Sequence, residues 1–194
     1  MQSLEPAAAA PPDPPGALRK FVRGLEFVVA LLTKTALALS ALVLAAIFSL
    51  ISYAVAMRYF FGRPQPWIDE ATGWMLAVCV MLAVPEVQRR GEHIGIDFIQ
   101  ERLGPTWRRA LMLFGLLMVL ATAALFVWQG IIMVEFSHML NVLSNQLPEV
   151  PLWMIQASVP IGFGLMVLVA SVQILAVAVG LKPRDMAEQV KEDI

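Results

Sequence analysis

Four long runs without a charged residue dominate the pattern of apolar and polar positions in this chain. They cover residues 35–57, 71–85, 110–134 and 150–181, and polar segments separate them. A helix needs about 20 mostly apolar residues to cross the ~30 Å hydrocarbon core of a bilayer. The pattern therefore predicts an all-α integral membrane protein with four transmembrane helices. Their predicted limits are about residues 27–57, 68–88, 108–135 and 151–181.

The second apolar run is shorter than the other three. At ~1.5 Å per residue, residues 71–85 reach only roughly 22 Å as a helix. Either the helix extends into its flanks, where water at the membrane edge solvates Asp69, Glu70 and Glu86, or these acids face other protein rather than lipid. Both interpretations stay open at this point.

The fourth run, residues 150–181, is longer than one bilayer requires and contains Pro160. A proline inside a helix removes one backbone hydrogen bond, so we expect a kink there, with a locally opened helix as the alternative. Gly162 and Gly164 carry no side chain and are expected to leave room for a neighbouring helix.

The ends of the chain differ in composition from the membrane domain, which is predicted to cover residues 19–181. Residues 1–18 are rich in alanine and proline and lack the apolar side chains that packing requires, so they are predicted to be a disordered tail. Residues 182–194 are predicted to be a polar cytoplasmic tail.

The lysine and arginine residues predict the orientation. Twelve of the 14 lie before the first apolar run, between the second and third, or after the fourth. Because these residues favour the cytoplasm, we predict both termini inside and residues 58–70 and 135–150 outside. The inner loop is predicted to form a short amphipathic helix on the membrane surface, since Ile96, Ile99 and Leu103 share one helical face.

Composition agrees with a membrane protein and excludes several kinds of site. Hydrophobic residues make up 59% of the chain and charged residues 15%, and the net charge of -1 provides no basic face for nucleic acid. Cys79 is the only cysteine, which excludes an internal disulfide and a cysteine-based zinc site. Metal ligands are scarce, so we expect no metal and no cofactor. The polar side chains of the third and fourth runs form no obvious relay; they are Thr122, Gln129, Gln156, Ser158, Ser171 and Gln173.

Three short motifs around the second span carry a family resemblance. They are Arg58-Tyr59-x-Phe61, Trp67-x-Asp69-Glu70 and Arg89-Arg90-Gly91-x-His93-Ile94-x-Ile96-Asp97. Their order and spacing resemble the small membrane subunit of tripartite ATP-independent periplasmic (TRAP) transporters, the DctQ-like family. The resemblance covers roughly residues 20 to 180. Many members have two glutamates where this chain has Asp69-Glu70, a difference that keeps both charges.

The resemblance implies a part in a three-component importer of the bacterial inner membrane. In this family a periplasmic solute-binding protein captures an organic acid, such as a C4-dicarboxylate, a keto acid or a sialic acid. A large membrane subunit then moves it inward by symport, driven by an ion gradient that is usually sodium. The small subunit is expected to scaffold the large one and to help dock the binding protein. The resemblance implies no catalytic residue and no enzyme activity in this chain. Its expected partners are therefore these two proteins and the lipid bilayer.

Nine residues of these motifs are predicted to form partner contacts or a structural motif. They are Arg58, Tyr59, Trp67, Asp69, Glu70, Arg89, Arg90, His93 and Asp97. We expect Arg58 to lie near Asp69 and Glu70 at the outer face. This group either caps the second helix or, as we favour, is buried against the large subunit. His93 and Asp97 either pair locally or fix the cytoplasmic rim to that subunit.

The alternative function is a haem-binding membrane anchor of a respiratory enzyme, with His93 and His138 as axial ligands. The predicted topology places these two histidines about a bilayer apart, which argues against a shared haem. A stand-alone small exporter is a third interpretation, but the spans lack the embedded acidic residue that proton coupling requires.

Overall fold

Five helices make up most of the described chain. The computed structural model describes residues 16–90, 105–144 and 149–179. In chain order the helices are α1 (Gly16–Phe60), α2 (Pro66–Arg90), α3 (Pro105–Met139), α4 (Leu152–Gln156) and α5 (Ser158–Ala178). β-Structure within these residues is limited to one isolated bridge, between Leu143 and Pro151. The predicted all-α class is confirmed.

Within the described residues, four helical stretches are long and apolar enough to cross a membrane. They are Lys20–Phe60, Pro66–Arg90, Arg109–Met139 and Leu152–Ala178, which confirms the predicted number of spans. The predicted surface helix, with His93 and Asp97, lies outside the described residues, as do most of the N-terminal tail and all of the C-terminal tail. The orientation of the spans stays a prediction.

The helices α2 and α5 form the centre of the bundle, and α1 and α3 flank them. The most extensive contacts join α1 to α2, α3 to α5, and α2 to α5. Helices α1 and α2 are antiparallel, because Ser40 of α1 bonds to Cys79 while Thr33, earlier in α1, bonds to Glu86, later in α2. This arrangement leaves one side of both flanking helices free to face lipid or another subunit.

Helix α1 is longer than a bilayer requires. Its 45 residues reach ~67 Å, about twice the ~30 Å hydrocarbon core. The early part of α1 is nevertheless held to the bundle, since Val29 packs in a buried cluster with Val169 and Val172 of α5. Either α1 is strongly tilted or its first turns continue beyond the hydrocarbon layer.

Helices α2 and α5 approach closely where α5 carries Gly162. A Cβ atom added there would lie 2.5 Å from the carbonyl oxygen of Met81, so no larger residue fits unless the backbone moves. The expectation of a close helix contact is confirmed for Gly162. It is wrong for Gly164, where an added Cβ would meet no atom within 4 Å.

The fourth span is interrupted near Pro160. Helix α4 ends at Gln156, Ala157 forms a turn, and α5 begins at Ser158. Pro160 has no N–H to donate to the carbonyl of Gln156, which is why the α-helical bonding cannot run through this point. The N–H of Ile161 resumes it with a 3.3 Å bond to the carbonyl of Ala157. The expected disturbance therefore lies one turn before the proline.

Candidate functional site

A buried carboxylate, Glu86, lies near the end of α2 and binds three side chains. Only 1% of its side chain is exposed. The hydroxyl of Thr33, on α1, donates to Glu86 Oε2 at 2.6 Å. Arg89 donates to both carboxylate oxygens, at 2.7 and 2.6 Å, and Arg90 Nε donates to Oε1 at 2.9 Å. We refer to Thr33, Glu86, Arg89 and Arg90 as the Glu86 cluster.

The spacing of the charges in α2 produces the cluster. Arg89 and Arg90 follow Glu86 by three and four residues, so all three side chains share one face of the helix. The guanidinium of Arg89 matches the carboxylate with two bonds, the geometry that gives arginine–carboxylate pairs their strength. Thr33 then ties this pair to α1. Each charge that is removed from water in the cluster thus has a partner of opposite sign.

Further polar contacts join α5 and α3 to the same end of α2. The Gln173 amide nitrogen, on α5, donates to the carbonyl oxygens of Gln88 and Arg89 at 3.3 and 3.1 Å. These carbonyls lie in the last turn of α2, where intrahelical donors are missing. Arg109 of α3 likewise donates to a carbonyl in the last turn of α5, that of Val177, at 2.7 Å. All four spans are therefore linked by polar contacts at this end of the bundle.

The main members of this network are not predicted by the sequence patterns. No pattern indicates a contact for Thr33, Gln88 or Arg109. Gln173 belongs to the polar residues without an obvious relay, and the sequence leaves Glu86 open between water and protein. The structure shows that Glu86 faces protein, within its own chain. The spacing of Glu86 to the two arginines was the signal that could have predicted the cluster.

Residues 58–70, which we call the hinge, join α1 to α2 and divide into an exposed part and a buried part. The N–H of Arg63 donates to the carbonyl of Met57, and Gly62 has a φ of 62°, which lets the chain turn after α1. Arg58 and Tyr59 end α1 on the surface, and 78% of Tyr59 is exposed. This part of the hinge presents charge and an aromatic ring to its surroundings.

At the start of α2, Asp69 is exposed, and the indole N–H of Trp67 donates to the Gln65 amide oxygen at 3.1 Å. Glu70 is half-buried and its Oε1 accepts a 3.0 Å hydrogen bond from the hydroxyl of Ser144. Its other oxygen, Oε2, is buried and has no hydrogen-bond partner among the described residues. Glu70 thus connects α2 to the segment that follows α3.

The expectation that Arg58 pairs with Asp69 or Glu70 is not met. No hydrogen bond or ion pair joins these side chains in the described part of the chain. The turn brings the two helix ends together, but Arg58 stays on the surface whereas Glu70 turns toward Ser144. The hinge is therefore two neighbouring features rather than one ion-pair cluster.

His138, the second histidine of the haem alternative, contacts an aromatic side chain. Its ring lies edge-on to Trp153, with ring centroids 5.4 Å apart. His93 lies outside the described residues. Among the described residues, no group of three or more histidine, cysteine, aspartate or glutamate side chains is placed to hold a metal ion.

A comparison with protein families connects these features to a known group. The model of the family described as "Tripartite ATP-independent periplasmic transporters, DctQ component" matches residues 47–180. The chain belongs to the DctQ family. No curated protein matches it. The matched residues include the hinge, the whole of α2 and α3, and the glutamate and both arginines of the Glu86 cluster.

Membership in the DctQ family confirms the resemblance seen in the sequence motifs. DctQ proteins are subunits of tripartite transporters and do not form an enzyme family. The four candidate spans agree with a membrane component of such a system. Of the motif residues, Arg89 and Arg90 lie in the Glu86 cluster, whereas Arg58, Tyr59 and Asp69 lie exposed in the hinge.

Proposed function

We propose that this chain is the small membrane subunit of a TRAP transporter in the bacterial inner membrane, where it scaffolds the large transport subunit. In that role it also helps to dock the periplasmic solute-binding protein. The complex takes up an organic acid by symport with an ion. The substrate is a carboxylate, and the ion is sodium. The DctQ match supports the assignment to such a transporter.

The buried polar side chains support the scaffold role, because they bond the helices of this chain to one another. Glu86 bonds to α1 and to its own helix, Gln173 bonds to α2, and Ser40 bonds to Cys79 of α2. These groups hold helices to one another, so they are engaged in fixing the bundle rather than in binding a solute. A subunit whose interior is fixed in this way suits a static support for a moving partner.

The predicted orientation assigns the two ends of the bundle to different partners. With both termini in the cytoplasm, the hinge lies at the periplasmic face and the Glu86 cluster at the cytoplasmic face. Arg58, Tyr59, Trp67 and Asp69 then form an outer contact surface for the large subunit and the binding protein. At the inner face Arg89 has a structural role, because only 9% of it is exposed.

The predicted inner contacts with the large subunit are Arg90, His93 and Asp97. The side chain of Arg90 bonds to Glu86 and is 43% exposed, so part of it lies at the surface of the bundle. We propose that these three residues form the cytoplasmic rim of the contact. Glu70, in contrast, has a contact within the chain, with the hydroxyl of Ser144.

Reconstitution in proteoliposomes tests this function. This chain, the large subunit and both together are purified and assayed for uptake of labelled carboxylates under a sodium gradient, with and without the binding protein. We expect uptake only with all three components, and a stable complex of the two membrane subunits in detergent. Uptake by this chain alone, or full uptake by the large subunit without it, would contradict the proposal.

A further inference from the structure

Helix α1 extends past α2 at the end of the bundle that carries the Glu86 cluster. Thr33 of α1 bonds to Glu86, four residues before the end of the antiparallel helix α2. The end of α2 therefore lies level with about residue 29 of α1. Residues 16–28 continue α1 by ~20 Å beyond that level.

One side of this extension packs on the bundle. Val22 and Val29 are buried, and Val29 contacts Val169 and Val172 of α5. Because Val22 and Val29 are seven residues apart, almost two full turns, they lie on the same side of α1. Most of the other side chains between residues 20 and 34 are exposed.

A basic stripe runs along one exposed side of this part of α1. We give this name to Lys20, Arg23, Phe27 and Lys34, all of which are exposed. Their successive spacings of three, four and seven residues place them in one row of ~21 Å along the helix. The single acidic residue of α1, Glu26, is half-buried, so no exposed carboxylate of this helix offsets the three positive charges.

A row of exposed apolar side chains lies beside the basic stripe. It consists of Phe21, Val28, Leu32 and Leu39, which follow one another by four or seven residues and are between 44% and 65% exposed. Leu39 belongs to the uncharged run 35–57, where hydrocarbon surrounds the helix. The row therefore continues an exposed side of the span into the extension, where hydrocarbon gives way to lipid headgroups.

Two further residues place this end of the bundle at the headgroup level. Trp107 lies in the first turn of α3, two residues before Arg109, which bonds to the last turn of α5. Its ring is 70% exposed, and an exposed tryptophan is typical of the membrane–water interface. Lys34 is the last charged residue before the uncharged run 35–57, and its long aliphatic stem lets the ammonium group reach the headgroups.

We propose that the basic stripe binds the phosphate groups of anionic phospholipids. Lys20, Arg23 and Lys34 donate to lipid phosphates, Phe27 lies between them in the headgroup layer, and the neighbouring apolar row contacts acyl chains. A helix with cationic and apolar sectors side by side is suited to the membrane interface, and a tilt of α1 keeps the stripe along it. Zwitterionic lipids carry the same phosphate without a net charge, so the stripe should prefer lipids with a net negative charge.

Co-purification with defined lipids tests the stripe on the full-length chain. The protein is incubated in detergent micelles that contain equal amounts of phosphatidylglycerol and phosphatidylcholine with the same acyl chains. It is then purified again, and the bound lipid is measured by mass spectrometry. One basic side chain near an anionic lipid surface contributes about fivefold in binding, so wild type should retain at least about fivefold more phosphatidylglycerol. Salt at ~1 M should weaken this preference, because it screens surface charges.

Three sets of variants locate the preference. Joint replacement of Lys20, Arg23 and Lys34 by glutamine should lead to equal retention of the two lipids. The set Lys20→Arg, Arg23→Lys and Lys34→Arg keeps the charges and should keep the preference. Arg58→Gln with Arg63→Gln removes two exposed charges at the other end of the bundle and should also keep it. Circular dichroism and gel filtration first establish that each variant is folded.

Equal retention of both lipids by wild type would overturn the proposal, and so would a glutamine set that keeps the preference. Loss of the preference with the Arg58 and Arg63 variant alone would place the lipid contact at the other end of the bundle. An acidic surface of the large subunit is the competing occupant. It predicts that wild type shows no lipid preference and that the glutamine set fails to co-purify the large subunit. Those two results together would assign the stripe to a protein contact instead.

Discussion

The hydroxyl of Thr33 on α1 donates a 2.6 Å hydrogen bond to the carboxylate of Glu86 on α2, which also binds Arg89 and Arg90. This single carboxylate joins residues that lie 53 positions apart in the chain. Because Glu86 is almost fully buried, its charge is stable there only while its partners stay in place. The Glu86 cluster is therefore one of the contacts that hold α1 on α2, together with the bond from Ser40 to the carbonyl of Cys79.

Glu86→Gln is expected to destabilise the bundle strongly. The substitution keeps the shape of the side chain but leaves the buried Arg89 guanidinium without the Glu86 carboxylate. Removing one member of a buried ion pair typically costs ~3–5 kcal/mol. Thermal unfolding in detergent, followed by circular dichroism, should show a clearly lower midpoint than wild type.

Arg90→Ala is the matched control in the same cluster. Arg90 also bonds to Glu86 but is 43% exposed, so solvent screens its charge. Pairs of this kind contribute about 0–1 kcal/mol, and the midpoint should change little. An unfolding midpoint of Glu86→Gln as high as that of Arg90→Ala would mean that the cluster does not hold α1 to α2.

Gly162→Ala and Gly164→Ala form a second pair, on the contact between α2 and α5. The added methyl group at residue 162 meets the carbonyl oxygen of Met81 at 2.5 Å, whereas the one at residue 164 meets nothing within 4 Å. Overpacking of this kind costs ~1–3 kcal/mol, while replacing an unconstrained helical glycine by alanine gains up to ~1 kcal/mol. Unfolding in detergent should therefore rank Gly164→Ala at or above wild type and Gly162→Ala below it. The reverse order would disprove the close approach.

The number and class of the helices could be predicted because the bilayer imposes a simple rule on the sequence. A run such as residues 110–134 has few alternatives to a spanning helix when all its backbone groups must be bonded internally. The close contact at Gly162 was likewise predicted, since a glycine in a long span leaves room for a neighbouring helix. Its neighbour Gly164 shows the limit of that signal, because only the rotation of α5 decides which of the two faces α2.

The contacts between helices were harder to predict, because they depend on register across the bundle. Nothing in the sequence places Thr33 opposite Glu86, although the local spacing of Glu86 to Arg89 and Arg90 was visible. Arg58 was expected beside Glu70 on the ground of their common turn. The structure instead gives Glu70 a partner from a distant segment, Ser144, since side-chain direction outweighs nearness in sequence.

Cysteine labelling tests the predicted orientation. In a Cys79→Ala background, Arg63→Cys in the hinge should react with an impermeant thiol reagent in intact cells. Lys20→Cys, exposed at the other end of α1, should react only after permeabilisation. The expectation rests on the distribution of lysine and arginine, which favours the cytoplasm for both termini. Labelling of Lys20→Cys in intact cells would invert the topology.

Tyr59→Ala tests the hinge as a partner contact. The ring is 78% exposed, so its removal should leave the unfolding midpoint of the isolated chain unchanged. If Tyr59 is a central contact of the outer surface, the loss of a buried aromatic anchor costs the complex ~2 kcal/mol or more.

Co-purification of the tagged chain with the large subunit measures this loss. Tyr59→Ala should recover at least about tenfold less partner at limiting concentration, and transport in cells should fall in parallel. Trp107→Ala is the control, because Trp107 is similarly exposed, at 70%, but begins α3 at the opposite end of the bundle. Equal recovery of the large subunit with wild type and both variants would show that the hinge is not part of the interface. Loss of recovery with Trp107→Ala alone would show that the contact lies at the other end of the bundle.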